Sequence, residues 1–150
     1  MQINKILVPV DFSCCSQVAL KYAVHFGNRL GASNVDVLHV WQPPMYLDPK
    51  TKLQQEGGKE ATLSEFMHSQ AGQAMKDFLA ALEQQGEFEV QGRLETGQPH
   101  ETVLEVAAAE GYDLIVMGTH GDKPTAKLGS IAQKVVRNAT CPVLTIRSEQ

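Results

Sequence analysis

Apolar residues along this chain fall into short unbroken runs, separated by longer stretches in which they recur every three or four positions. The first run, Ile3 to Asp11, has a centre of Ile6-Leu7-Val8 that is apolar on consecutive positions instead of alternating. Such a strand needs cover on both faces, as in a parallel sheet. Pro9 cannot donate to a ladder, so regular pairing should stop there and leave Val10 and Asp11 at the strand's carboxyl end. Val18, Ala19, Tyr22, Ala23, Phe26 and Leu30 then follow at helical spacing, which predicts a helix from about Cys14 to Leu30, stopped by Gly31. Val35 to Trp41 reads as a second strand, closed by Pro43-Pro44.

Gln42 to Gly58 shows no periodicity and reads as a loop rich in Pro, Lys, Gln and Gly. Leu63, Phe66, Met67, Ala71, Ala74, Met75, Phe78, Leu79 and Leu82 form one stripe, which predicts a long amphipathic helix over residues 59 to 85, ended by Gly86. Phe88 to Leu94 is a third strand, interrupted by Gly92, and Pro99 opens a helix through Ala109 that Gly111 terminates. Leu114-Ile115-Val116-Met117 is the fourth strand. Ser130 followed by Gln133 reads as a capping box at the head of a helix through about Asn138, and Pro142 to Ile146 is the last strand. Strands alternating with helices join parallel through right-handed crossovers, which predicts an α/β fold: an open, doubly wound five-stranded parallel sheet with helices on both faces. Ligands in such sheets sit at the strands' carboxyl ends near the switch point.

The bulk numbers narrow the setting. With 150 residues and 43% apolar content the chain forms one domain, residues 1–150, with one core. A net charge of -4 leaves no positive excess to neutralise a phosphate backbone, so nucleic acid is not the expected partner. No run approaches the roughly 20 apolar residues that span a bilayer, and the start leads directly into a strand instead of a signal sequence. A cytoplasmic protein without membrane insertion is expected. Cys14, Cys15 and Cys141 make an odd count without metal-ligand spacing, and are read as reduced thiols.

The chemistry collects after the fourth strand. Gly118 and Gly121 follow it directly, and the stretch ends in Gly129-Ser130 at a helix N-terminus, where free N–H groups and the positive dipole end favour an anion. Two glycines alone prove little, because a strand-to-helix turn can need them for positive φ. His120 has no base-orienting partner in sequence and reads as a hydrogen-bonding loop residue, while His39 reads as packed or held by backbone. Asp11 lacks the second acid two residues on that some phosphotransfer aspartates carry, since Ser13 stands there.

Taken together, Lys5 to Asp11, Asp113 to Gly121, Gly129-Ser130 and Cys141-Pro142-Val143-Leu144 resemble the universal stress protein family, and the resemblance covers essentially the whole chain. It implies a Rossmann-like fold of the adenine nucleotide alpha hydrolase-like type, with its switch point between strands one and four. It also implies a homodimer and, in one branch, ATP held by a Gly-x2-Gly-x9-Gly-Ser/Thr motif; it does not imply catalysis. Carried over, Pro9, Asp11, Val40 and Met117 would line the adenine and ribose end, and Gly118, His120, Gly121, Gly129, Ser130 and Ile131 would surround the phosphates. A divalent metal would accompany a bound triphosphate.

Two departures bear on that motif. Residues 122 to 128 number seven instead of nine, and Asp122 places a negative charge just after the second glycine, offset by Lys123 and Lys127 in a loop that Pro124 stiffens. Three functions therefore compete: a nucleotide-binding stress-response or signalling module, a nucleotide-free dimeric interaction protein of the same fold, and a weak nucleotide hydrolase. The last would need a positioned water activator, and no Walker sequence or dinucleotide glycine fingerprint is present.

Overall fold

The structure, a computed structural model, describes residues 1–82, 88–123 and 127–148. Its elements are β1 (Lys5–Pro9), α1 (Cys14–Leu30), β2 (Asn34–Trp41), β3 (Lys52–Gln54), β4 (Glu60–Thr62), α2 (Leu63–Ala80), β5 (Glu89–Thr96), α3 (Pro99–Ala109), β6 (Leu114–Gly118), α4 (Ser130–Asn138) and β7 (Val143–Ile146). Five strands form one parallel sheet in the order β5-β2-β1-β6-β7. The chain leaves β1 in one direction to build β2 and β5, then returns to the other side of β1 for β6 and β7. The switch point therefore lies between β1 and β6.

Successive residues of the central strands serve opposite layers. Ile6, Val8, Val35, Val37 and Val116 face α1 and α2, where Ala19, Leu20, Ala23, Val24, Met75 and Phe78 are buried. Leu7, Leu38, Val40, Ile115 and Met117 face α3 and α4, against Val103, Ala107, Ala132 and Val135. Ile6, Leu7 and Val8 have no exposed surface at all, which accounts for the unbroken apolar run. Gly92, which weakens the pattern of β5, is where α2 closes on the sheet: a Cβ there would meet Met75 Cγ at 2.6 Å.

Helix ends follow local chemistry. Ser13 caps α1 by accepting from the Ser16 N–H, and Gly31, at φ 70°, ends it in the left-handed conformation. The expected helix over 59 to 85 begins later, at Leu63, because Thr62 and Glu65 form a reciprocal capping box. The Glu65 N–H donates to the Thr62 hydroxyl at 3.1 Å, and the Thr62 N–H to Glu65 at 2.8 Å. Gly86, the expected stop, lies outside the described residues.

The stretch expected as a structureless loop, Gln42 to Gly58, contains β3, which pairs antiparallel with β4 in a small hairpin. Gly57 and Gly58 turn it with φ of 88° and 76°.

At the amino-terminal half of the sheet, Asp36 is buried on the α3–α4 face. It accepts from Asn34 Nδ2 at 2.7 Å and from the Tyr112 hydroxyl. Arg93 donates to Glu110 at 2.6 Å and to the Tyr112 oxygen at 3.4 Å. Lys5 Nζ stands 4.6 Å above the Tyr112 ring. Asp113 accepts from the N–H groups of Asn4 and Lys5 at 2.8 and 3.0 Å, tying β6 to β1. No helix among the described residues is long and apolar enough to cross a membrane.

Candidate functional site

Where β1 and β6 diverge at their carboxyl ends, a cleft of about 440 Å³ opens. Pro9, Asp11, Val40, Met117, Gly118, His120, Gly121, Gly129, Ser130 and Ile131 all border it, so the ten residues singled out from sequence are brought together in one place. Ser16, Pro99, Val103, Thr119 and Lys123 also border it. Pro99 and Val103 could have been anticipated, since the crossover from β5 to β6 lays α3 on the same face of the sheet as α4.

The glycines of the turn work by close approach. None of Gly118, Gly121 and Gly129 has positive φ, which removes the simplest conformational explanation for them. A Cβ on Gly118 would stand 2.8 Å from Cys15 Sγ, on Gly121 2.6 Å from Asp11 Oδ2, and on Gly129 3.0 Å from the Thr119 carbonyl oxygen. The turn is thus packed against the head of α1 on one side and folded onto itself on the other.

Asp11 is positioned from both of its neighbours. Its Oδ1 accepts from the Ser16 hydroxyl at 2.6 Å and the Ser13 N–H at 3.1 Å, and its own N–H donates to Ser16 Oγ at 3.1 Å. Partial desolvation raises the Asp11 carboxyl, but the bonds from Ser13 and Ser16 outweigh it and hold the group below its ordinary value. Phe12 follows at φ 64°, in the left-handed region that a bulky residue seldom occupies. Its ring compensates by packing on His39 at 4.3 Å and edge-on to Phe78 at 5.6 Å. His39 Nδ1 lies 2.9 Å from the Val10 carbonyl; a carbonyl only accepts, so Nδ1 carries the proton and the ring is held by backbone.

His120 is held in the same manner, its Nδ1–H donating to the Gly121 carbonyl at 2.8 Å. The far end of the turn differs from expectation. Gly129, not Ser130, is the N-cap of α4, and no side chain caps that helix, so the Ser130–Gln133 capping box is absent. The cause is the bond from the Gly129 N–H to the Thr119 carbonyl at 2.6 Å, which fixes Gly129 in extended backbone and starts the helix at Ser130. Gln133 makes the first helical bond, to Gly129 O at 2.9 Å, leaving the N–H groups of Ser130, Ile131 and Ala132 to point beyond the helix. Asp122 and Lys123 are exposed on the rim. Pro124 lies outside the described residues.

The thiols sit apart from any ligand geometry. Cys14 is exposed, Cys141 half-buried, and Cys15 buried with Sγ 3.5 Å from the Ile146 carbonyl. Desolvation raises the Cys15 thiol, yet backbone bonds from His120 and Ser148 outweigh it and bring it below its ordinary value. No group of three or more His, Cys, Asp or Glu converges among the described residues.

The model of the universal stress protein family matches residues 2–147. A universal stress protein of Methanocaldococcus jannaschii is 32% identical over 155 residues, covering 96% of this chain and 94% of the relative. The solved universal stress protein UspA of Lactobacillus plantarum is 27% identical, covers 98% of this chain and 99% of its own, and superposes with a TM-score of 0.74. Three solved structures share the fold at 22%, 18% and 20% identity, covering 99%, 97% and 97% of this chain and 100%, 92% and 99% of their own, with TM-scores of 0.63, 0.64 and 0.61. They are a universal stress protein in complex with cAMP, one from Arabidopsis thaliana with AMP bound, and one from Archaeoglobus fulgidus in complex with dAMP.

Proposed function

The chain belongs to the universal stress protein family, and from that premise we propose that the cleft between β1 and β6 binds an adenine nucleotide, ATP included. The observation that carries this reading is the convergence of two unlike halves in one cleft. One half is apolar, with Pro9, Leu38, Val40 and Met117, and suits a planar base. The other is the head of α4, where three amides and the positive end of the helix dipole are uncapped and suit a phosphate. Asp11, with Oδ1 occupied by Ser13 and Ser16, has Oδ2 left as the oxygen to accept from a ribose hydroxyl. The bound AMP, cAMP and dAMP of proteins with the same fold support the ligand class.

The protein is, on this reading, a cytoplasmic stress-response or signalling module in which nucleotide occupancy is the signal, and a homodimer is its working assembly. β7 is an edge strand of the sheet and offers one backbone edge for such pairing. His120 donates its Nδ1–H to the Gly121 carbonyl, which fixes the ring, and the reading does not require turnover.

The test starts from purified protein: denature it, look for released adenine nucleotide, then titrate AMP and ATP into nucleotide-free protein and follow the melting temperature. Ligand at about 100 times its Kd should add about 2.7 kcal/mol of stability and raise the melting temperature accordingly. Absence of released nucleotide together with an unmoved melting temperature for both ligands would overturn the reading.

A further inference from the structure

Resting on that reading of the cleft, we propose that the Thr119 hydroxyl is a hydrogen-bond donor held in reserve for the nucleotide's phosphate, a partner that the chain itself does not supply. Thr119 borders the cleft and is only 7% exposed, and its Oγ1 is sealed from solvent with no hydrogen-bond partner among the described residues. No other buried side-chain nitrogen or oxygen among them is left in that condition. The backbone of the same residue is fully engaged: its N–H donates to the Ile146 carbonyl at 3.0 Å, and its carbonyl accepts from the Gly129 N–H at 2.6 Å. Leaving a buried hydroxyl unpaired is costly, and native folds do it rarely. At the wall of a cleft the partner can come from a ligand.

The strand and the helix head together aim this group. Along β6 the residues alternate between faces, with Met117 buried on the α3–α4 side and Gly118 turned toward Cys15 of α1. Thr119 continues the ladder to Ile146, so its side chain returns to the α3–α4 side, where the cleft lies. Covalent geometry keeps Oγ1 within about 5 Å of the carbonyl oxygen of its own residue. That oxygen is bonded to Gly129, the N-cap of α4, whose next three amides are uncapped. A phosphate accepting on two of its oxygens bridges donors about 6–8 Å apart, which is the separation available between the hydroxyl and the helix head. One staggered step about χ1 exchanges the hydroxyl of a threonine with its methyl group, and so turns the donor without moving the backbone.

Two substitutions separate this role from a structural one. Thr119→Val keeps the branched shape and deletes the donor, and Thr119→Ser keeps the donor and deletes the methyl group. The full chain and both variants, freed of nucleotide, are compared by urea unfolding and by calorimetry with AMP and with adenosine. Thr119→Val should leave the urea midpoint unchanged or higher, because it replaces an unpaired buried hydroxyl by a methyl group, and should weaken AMP at least about tenfold, as expected for a lost hydrogen bond to a charged group. Thr119→Ser should hold AMP within about threefold of the wild-type chain. Adenosine, which has no phosphate, should distinguish the wild-type and Thr119→Val chains by no more than about twofold. A lowered midpoint for Thr119→Val shows that the hydroxyl is bonded in the free protein, to the chain or to an ordered water, and overturns the proposal. An unchanged affinity for AMP, or an equal loss of AMP and adenosine, overturns it as well. If the wild-type chain binds AMP, the nucleotide reading stands whatever becomes of Thr119. If it binds neither AMP nor ATP, that reading fails and the role of Thr119 with it.

Discussion

At the amino-terminal half of the sheet Asp36 is buried, its Oδ2 accepting from both Asn34 Nδ2 and the Tyr112 hydroxyl, and Arg93 links that pair onward to Glu110. At the carboxyl end Asp11 keeps one oxygen bonded and the other turned to a glycine backbone, and the helix head across the cleft has no side-chain cap. The same sheet thus carries an internally paired polar network at one end and an open one at the other. An internally paired network spends its hydrogen bonds on fixing geometry; an open one leaves donors to water or to a ligand. Substitutions at the two ends should therefore separate into losses of stability and losses of binding.

The largest stability effect is expected at the internally paired end. Tyr112→Phe deletes a donor to a buried carboxylate and should cost about 1–3 kcal/mol in denaturant unfolding, with nucleotide affinity unchanged. Burial raises the Tyr112 phenol, with Asp36 adding to the rise, so the hydroxyl stays a donor throughout the working pH range and the loss should be constant across it. A matching loss of affinity would break the division between the two ends.

The converse substitution is Gly121→Val. Its side chain would intrude on the Asp11 carboxylate and the mouth of the cleft, so affinity for AMP should fall at least about tenfold, while unfolding free energy changes by less than about 1 kcal/mol. Calorimetry and urea unfolding on the same preparation decide it; an unchanged affinity in the folded variant would move the phosphate elsewhere.

The smallest effect is expected in acid. Because the Asp11 carboxyl is held below its ordinary value, its contribution to stability is present above about pH 4 and is lost as pH falls through its folded value. Asp11→Asn should therefore lower stability at pH 7 by less than about 1 kcal/mol, the group being exposed, and the gap from wild type should close on acidification. Urea unfolding at pH 7 and pH 3 measures both; a gap that widens in acid would reverse the assignment.

Much of the fold could be read from residues that answer to one constraint. Ile6-Leu7-Val8 had to be a doubly covered strand, and Gly31 and Pro99 punctuate helices as their backbone chemistry requires. The hairpin was not legible: β3 and β4 have three residues each, none of them buried, too short and too wet to show a period. Both capping errors share one cause, that the same spacing occurs with and without the cap. Thr62-x-x-Glu65 closes its box because Thr62 is extended at ψ 158°, whereas Ser130 is already helical because a long-range bond holds the residue before it.

The cleft was legible as a set of residues but not as a mechanism of assembly. Gly118, Gly121 and Gly129 stood out in sequence, yet what they make room for, a thiol, a carboxylate and a carbonyl, comes from distant parts of the chain or from the turn's own fold. Ser16 was invisible because nothing in spacing reveals that its hydroxyl would reach back to Asp11.

The single bond from the Gly129 amide to the Thr119 carbonyl acts as a staple across the base of the intervening segment. With both ends fastened, residues can be gained or lost between them without disturbing strand, helix or their mutual aim. That makes the length of the segment a free variable of the frame, since lengthening a fastened loop adds little to the cost of closing it.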